Sequence, residues 1–142
     1  MQGKAAITKT FTITWGDCDG AGIVYYPRFF FYFDICTWSI FYAVGLHEEE
    51  MKRRYNYIVY PAAEVSARFH VPCRCRDVLT FESRISEWRA KFFRVEHTVH
   101  KADGQVALVG HELRFMGTAD ADDPQRLRAA VIPAEVRALF AE

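Results

Sequence analysis

Asp17 and Asp19 stand two residues apart, followed by Gly20 and Gly22, just ahead of an aromatic run that opens at Tyr25-Tyr26-Pro27. A carboxylate beside the first turn of a helix lies near backbone N–H groups with no partner inside the helix, and near the positive end of its dipole. The same donors can polarise a carbonyl oxygen, as an oxyanion hole does. An acid that attacks carbon or activates water, set next to such donors, suits chemistry on an acyl group. Either acid also has a plainer role open to it, capping the helix or holding the turn. Asp17 fits that plainer role better than Asp19.

Asp34 is the next informative acid, because Phe31, Tyr32, Phe33 and Ile35 surround it in sequence. A carboxylate in so apolar a segment must be paired, hydrogen-bonded or neutral, or else reach solvent. Other candidates are weaker. Cys73-Arg74-Cys75 lacks the C-x2-C spacing of zinc knuckles, and with only Cys18 and Cys36 besides, no second cluster completes a set of four. Free thiols in a reducing compartment are expected, and no metal. His97, His100 and His111 have no G-x-S-x-G nucleophile to serve and read as packed or surface residues. Glu64 and Ser66 lie on a strand that could pass near the helix start. Gly20 and Gly22 do not belong to a G-x-G-x-x-G turn, so a dinucleotide site is not expected.

The elements that must position these residues follow from pattern. Thr8 to Trp15 alternates Phe11, Ile13 and Trp15 against threonines, which predicts a half-buried strand. Pro27 suits a helix start, and Gly45 a stop after a helix ending near Val44. That helix is bulky and apolar on nearly every side, so burial all round is expected, with something wrapped about it. His47 to Arg54 reads as a short charged helix. Four strands follow: Ile58–Val71, Val78–Trp88, Lys91–Lys101 and Gln105–Met116. In the second, Leu79, Phe81, Ser83 and Ile85 share a face; in the third, Phe93, Val95, His97 and Val99; in the fourth, Ala107, Val109, His111, Leu113 and Phe115. Asp103-Gly104 marks a hairpin. A polar stretch then runs through Gln125, and Pro133–Phe140 forms a terminal helix.

The 142 residues suit one domain, 1–142, and 51% apolar with 15% aromatic content supplies a core. Net charge is zero from 18 basic and 18 acidic residues, which argues against a nucleic-acid partner. Met1 to Ala6 carries no signal-peptide core, and no uninterrupted apolar run of about 18 residues predicts a membrane span. The expected location is the cytoplasm. One apolar helix followed by a meander is best buried by a sheet that curls around it. The open edges of such a sheet favour a homo-oligomer that continues it. The class is α+β.

Gly16 to Pro27 (GDCDGAGIVYYP) resembles the signature of hotdog-fold acyl-CoA thioesterases, and of the 4-hydroxybenzoyl-CoA thioesterase family above all. Phe33-Asp34, Glu87 to Phe92, Arg126-Leu127-Arg128 and Ile132-Pro133 are similar too, in the same order, so the resemblance spans nearly the whole chain. It implies a long helix wrapped by a curved antiparallel sheet. It makes Asp19 the catalytic acid, nucleophile or general base, and the Tyr26 backbone N–H the donor to the thioester oxygen. It sets Asp34 against the phenolic hydroxyl of the acyl group, and Arg89, Lys91, Arg126 and Arg128 against the phosphates of coenzyme A. Gly20, where a proline is common, and Ala90 and Phe92, where relatives are basic or polar, depart from the pattern. Coenzyme A is part of substrate and product, no cofactor is expected, and the assembly would be a dimer or a pair of dimers. Thioesters of aliphatic acids or of acyl carrier protein are the alternative substrates. A non-catalytic acyl-thioester binding module is the alternative from another class, though pure binding does not call for an acid at the reacting carbon.

Overall fold

The computed structural model describes residues 3–141; Met1, Gln2 and Glu142 lie outside the described residues, and with them the start of the leader reading. In chain order the elements are β1 (Ala6–Thr12), α1 (Pro27–Ala43), α2 (Glu48–Tyr55), β2 (Tyr57–Val59), β3 (Ala62–Phe69), β4 (Val78–Trp88), β5 (Phe92–His100), β6 (Val106–Ala119), β7 (Leu127–Ala130) and α3 (Ala134–Leu139). The strands form one antiparallel sheet, with β1-β4-β5-β6 as its spine and β2, β3 and β7 all pairing with β6. α1 lies on one face. Its inward residues Phe29, Phe33, Cys36, Ile40 and Phe41 pack on Leu79, Phe81, Phe93, Val95 and Val99 of the sheet. This is the expected α+β arrangement.

Several expected boundaries shift, each for a local reason. β1 stops at Thr12, and Trp15–Asp17 coils into a single 3-10 turn that leaves Trp15 78% exposed. The Asp17 carboxylate takes the Thr14 backbone N–H at 2.9 Å, a local bond that competes with strand pairing. The expected strand Ile58–Val71 breaks at Tyr60-Pro61, because proline has no N–H to give a ladder. The polar stretch after Met116 holds more structure than expected: β6 runs on to Ala119 and pairs with β7. On β6 the residues that the pattern groups on one face do not share one environment: Ala107 is buried, and the rest of that set is not. Val109, His111, Leu113 and Phe115 are only half-buried, whereas Leu108, Glu112, Arg114 and Met116 are buried. Two charged residues on the core side had masked the true alternation.

α1 is not enclosed on all sides either. Phe31 is 49% exposed, and Trp38 and Tyr42 are half-buried. One curved sheet covers one side of a helix, so an aromatic stripe stays open in the single chain. No single helix among the described residues is long and apolar enough to cross a membrane.

Candidate active site

The loop from Asp17 to Tyr26 hangs between the end of β1 and the start of α1. It is pinned by Val24 N–H to Cys73 O (2.8 Å) and Tyr25 N–H to Asp17 O (2.8 Å). Its two acids have opposite environments. Asp17 is buried and saturated: it accepts from Thr14 N–H and Oγ1–H (2.9 and 3.1 Å), Tyr32 O–H (2.7 Å) and Arg28 Nε–H (3.0 Å). Burial opposes its ionisation, but these donors outweigh burial and hold its carboxyl below the ordinary carboxylate value. Asp17 therefore ties loop to helix, the turn-holding role expected of it.

Asp19 is exposed, and one hydrogen bond engages its side chain, from Ala21 N–H to Oδ1 at 2.8 Å. Its backbone closes the turn with Ile23 (2.9 Å) and Gly22 (3.0 Å), where Gly22 takes φ +78°. The second carboxylate oxygen has no partner among the described residues. Tyr26 caps α1 directly after the loop, and Pro27 occupies the first helical position. Its N–H belongs to the group a helix leaves unsatisfied, and it has no acceptor among the described residues. Beside it, Ile23, Val24, Tyr26, Phe29, Phe69 and Val71 line an apolar cavity of about 250 Å³. An acid with a free oxygen, an unpaired amide donor and an apolar hollow thus share one loop.

Asp34 lies two turns further along α1, about 12 Å from Tyr26 along the axis at 1.5 Å per residue. The structure answers how a carboxylate tolerates this helix. Asp34 Oδ1 meets Arg114 Nη2 at 2.8 Å within the same chain, and its side chain remains 48% exposed. It borders a depression of about 510 Å³ with Phe30, Trp38, Tyr60, Val65 and Arg114.

Arg114 leads inward to a polar chain whose members no local pattern links. Its guanidinium binds the Glu112 carboxylate through Nε (3.0 Å) and Nη2, and donates from Nη1 to Tyr60 O (2.8 Å). Glu112 also accepts from Thr37 Oγ1–H (2.6 Å) and His97 Nε2 (2.7 Å). His97 Nδ1 meets Ser83 Oγ at 2.6 Å, and its ring stacks on Phe33 at 4.1 Å. Burial alone would raise Glu112, but the His97 bond and the Arg114 charge bring it down to about 2. Burial holds the His97 imidazole below its ordinary value against the pull of Glu112. An ionised Glu112 only accepts, so the neutral ring carries its proton on Nε2 and takes the Ser83 hydroxyl on Nδ1. Ser83, His97 and Glu112 share the connectivity of a hydrolytic triad, yet Ser83 is 2% exposed and His97 1%. No substrate reaches that serine.

The basic residues lie elsewhere. Arg89 and Lys91 flank the β4–β5 turn, and Arg126 and Arg128 stand on and beside β7, all exposed. Arg89 pairs with Glu87 at 3.1 Å, and Arg128 approaches Asp120 at 4.0 Å. This is the end of the sheet away from Asp19. β4 spans the two ends with 11 residues, or roughly 30 Å at strand rise. One chain therefore does not bring the four basic residues to Asp19. Glu64 is engaged by His111 Nε2 at 2.7 Å. No group of three or more histidine, cysteine or acidic side chains among the described residues could hold a metal ion.

Residues 13–140 match the model of the thioesterase-like superfamily. The chain is 33% identical over 137 residues to the 4-hydroxybenzoyl-CoA thioesterase of Pseudomonas sp. (strain CBS-3), covering 92% of this chain and 94% of the relative. Its backbone matches a 4-hydroxybenzoyl-CoA thioesterase mutant complexed with 4-hydroxybenzoyl-CoA at TM-score 0.88 and 31% identity, over 96% of this chain and 99% of the other. In that mutant an asparagine replaces one aspartate. A gentisyl-coenzyme A thioesterase matches at TM-score 0.78 and 29% identity, over 96% of this chain and 100% of the other. These likenesses establish the hotdog fold.

Proposed function

The chain belongs to the thioesterase-like superfamily and is a thioester hydrolase; from that premise we propose that it converts an aromatic acyl-CoA of the 4-hydroxybenzoyl kind to the free acid and coenzyme A. The observation that carries this reading is the pairing, on one loop, of the half-unoccupied Asp19 carboxylate with the unpartnered Tyr26 N–H. Asp19 either adds to the thioester carbon, expelling the thiolate to leave an anhydride that water opens, or takes a proton from the attacking water. In both routes the carbonyl oxygen gains charge, and the Tyr26 N–H at the positive end of α1 stabilises it.

Asp34 receives the phenolic hydroxyl. A 4-hydroxybenzoyl group with a hydrogen bond at each end spans about the 12 Å that separates Tyr26 from Asp34 along the helix. An acyl group lacking the hydroxyl would leave a desolvated carboxylate oxygen unpaired, which is costly and hence selective. The names of the similar enzymes support a hydroxyaromatic acyl group.

Arg89, Lys91, Arg126 and Arg128 bind the coenzyme A phosphates, which guanidinium groups suit. Their distance from Asp19 implies that a second copy supplies them. Among the described residues β3 pairs with β6 alone, and it is largely exposed. Antiparallel pairing across its free edge would reverse the partner and carry its basic end to this chain's Asp19 end. The oligomer is then part of the site rather than an accessory to it.

Thiol release from 4-hydroxybenzoyl-, benzoyl- and butyryl-CoA tests the substrate. We expect kcat/KM to fall in that order, by at least about tenfold for loss of the hydroxyl. Equal rates on all three, or a preference for butyryl-CoA, would overturn the aromatic reading.

A further inference from the structure

Glu112, Arg114 and His97 take no part in the chemistry proposed above, yet the protein buries all three where apolar side chains would serve the core. Exchanging a buried ionic cluster for well-packed apolar residues is often neutral or stabilising, so stability alone is a weak reason to keep one. The cluster's shape suggests another. Its side chains are 0%, 1% and 6% exposed at His97, Glu112 and Arg114, and then 48% at Asp34. It is a closed line of hydrogen bonds with one open end, and that end faces the depression.

Resting on the reading of Asp34 as the hydroxyl acceptor, we propose that the His97–Glu112–Arg114 chain is a positioning device for Asp34 and so sets the enzyme's preference for a hydroxylated acyl group. Each link removes a freedom from the next. Ser83 and the Phe33 stack fix the His97 ring. His97 and Thr37 hold one oxygen of Glu112, leaving the other for Arg114. Glu112 and the Tyr60 carbonyl then set the plane of the guanidinium, whose Nη2 reaches Asp34 Oδ1. Asp34 Oδ2 has no partner among the described residues and is left to meet a phenol.

Charge makes the same point. One guanidinium serves two carboxylates, and His97, whose pKa burial depresses, stays neutral at neutral pH. Glu112, more deeply buried than Asp34, draws on much of the Arg114 charge. Asp34 therefore stays oriented without being fully neutralised and still accepts strongly from a neutral hydroxyl. Without Glu112, Arg114 would pair with Asp34 alone, and a phenol would have to compete with a complete ion pair.

The readout is the ratio of kcat/KM for 4-hydroxybenzoyl-CoA to that for benzoyl-CoA, measured on wild type, Asp34→Asn, Arg114→Met, Arg114→Lys and Glu112→Gln. Near-UV circular dichroism checks that each variant keeps a packed core. We expect Asp34→Asn and Arg114→Met each to lower the ratio at least about tenfold, chiefly through the hydroxylated substrate, the size of one lost bond to a charged group. Glu112→Gln should lower it about threefold. Arg114→Lys should restore only part of the loss, because a single ammonium cannot serve Tyr60, Glu112 and Asp34 together. Should Arg114→Met not fold, Glu112→Gln, which keeps volume, decides alone. If Asp34→Asn lowers the ratio while the Arg114 and Glu112 variants leave it unchanged, or slow both substrates equally, the positioning role is wrong and the hydroxyl reading stands. If Asp34→Asn itself leaves the ratio unchanged, the hydroxyl reading fails and this inference with it.

Discussion

Two polar regions of this protein solve opposite problems. The loop before α1 keeps one acid, Asp17, saturated by four donor contacts so that its neighbour two residues on can stay exposed and underused. The chain from Ser83 to Asp34 does the reverse. It closes every member inside the core and releases a single carboxylate at the end. In the loop, an oxygen and an amide hydrogen are left without partners among the described residues, and the proposed reactivity rests on them. In the core, almost nothing is left without one, and the proposed selectivity rests on that closure. The lesson is that a carboxylate's role here is set by the count of its partners more than by its neighbours in sequence.

The two loop acids should differ most when each is exchanged for alanine and unfolding is measured. Asp17→Ala leaves Thr14 N–H, Tyr32 O–H and Arg28 without their acceptor. It should cost about 3 kcal/mol, a figure kept modest because Arg28 is partly exposed. Asp19→Ala loses one exposed turn bond and should cost less than about 1 kcal/mol. Equal losses would mean that the two acids are not divided into a structural and a reactive member.

A smaller effect is expected from pH. The His97 pKa is depressed in the folded protein, so between that value and its ordinary 6.5 the unfolded chain binds the extra proton. Stability from the neutral imidazole is therefore present above 6.5 and is lost as the pH falls below it. Glu112 adds a second loss as the pH falls from its ordinary 4.5 toward about 2. Replacing His97 by Gln should flatten the fall in melting temperature between about pH 7 and about pH 5.5. A variant that loses as much as wild type over that range would place the acid sensitivity outside the core chain.

The two regions also differ in how far they could be read in advance. The loop announces itself because its parts are contiguous: acid, glycine, proline and aromatic residues stand in one line of twelve, and turn chemistry is local. α1 is equally legible from its proline start, its glycine stop and the apolar run between them, and β4 and β5 from one alternating period through each. The core chain draws Thr37, Ser83, His97, Glu112 and Arg114 from four elements, α1, β4, β5 and β6, and only tertiary packing joins them. Glu112 and Arg114 sit on the inward face of β6, where alternation argues for apolar residues, so the pattern does not reveal which face of that strand is buried. Asp34 was recognised as a residue that had to be satisfied, but the partner that satisfies it stands 80 positions away. β7 escaped notice because its four residues follow a stretch rich in aspartate that reads as loop.

On the proposed reading, a negatively charged Asp19 beside the Tyr26 amide performs the hydrolysis. The decisive assay is thiol release from 4-hydroxybenzoyl-CoA by Asp19→Asn protein, which keeps the shape and the Ala21 bond while removing the charge. Turnover should fall by about a thousandfold or more with the fold intact. A folded variant that retains turnover within a few fold of wild type would remove Asp19 from the chemistry.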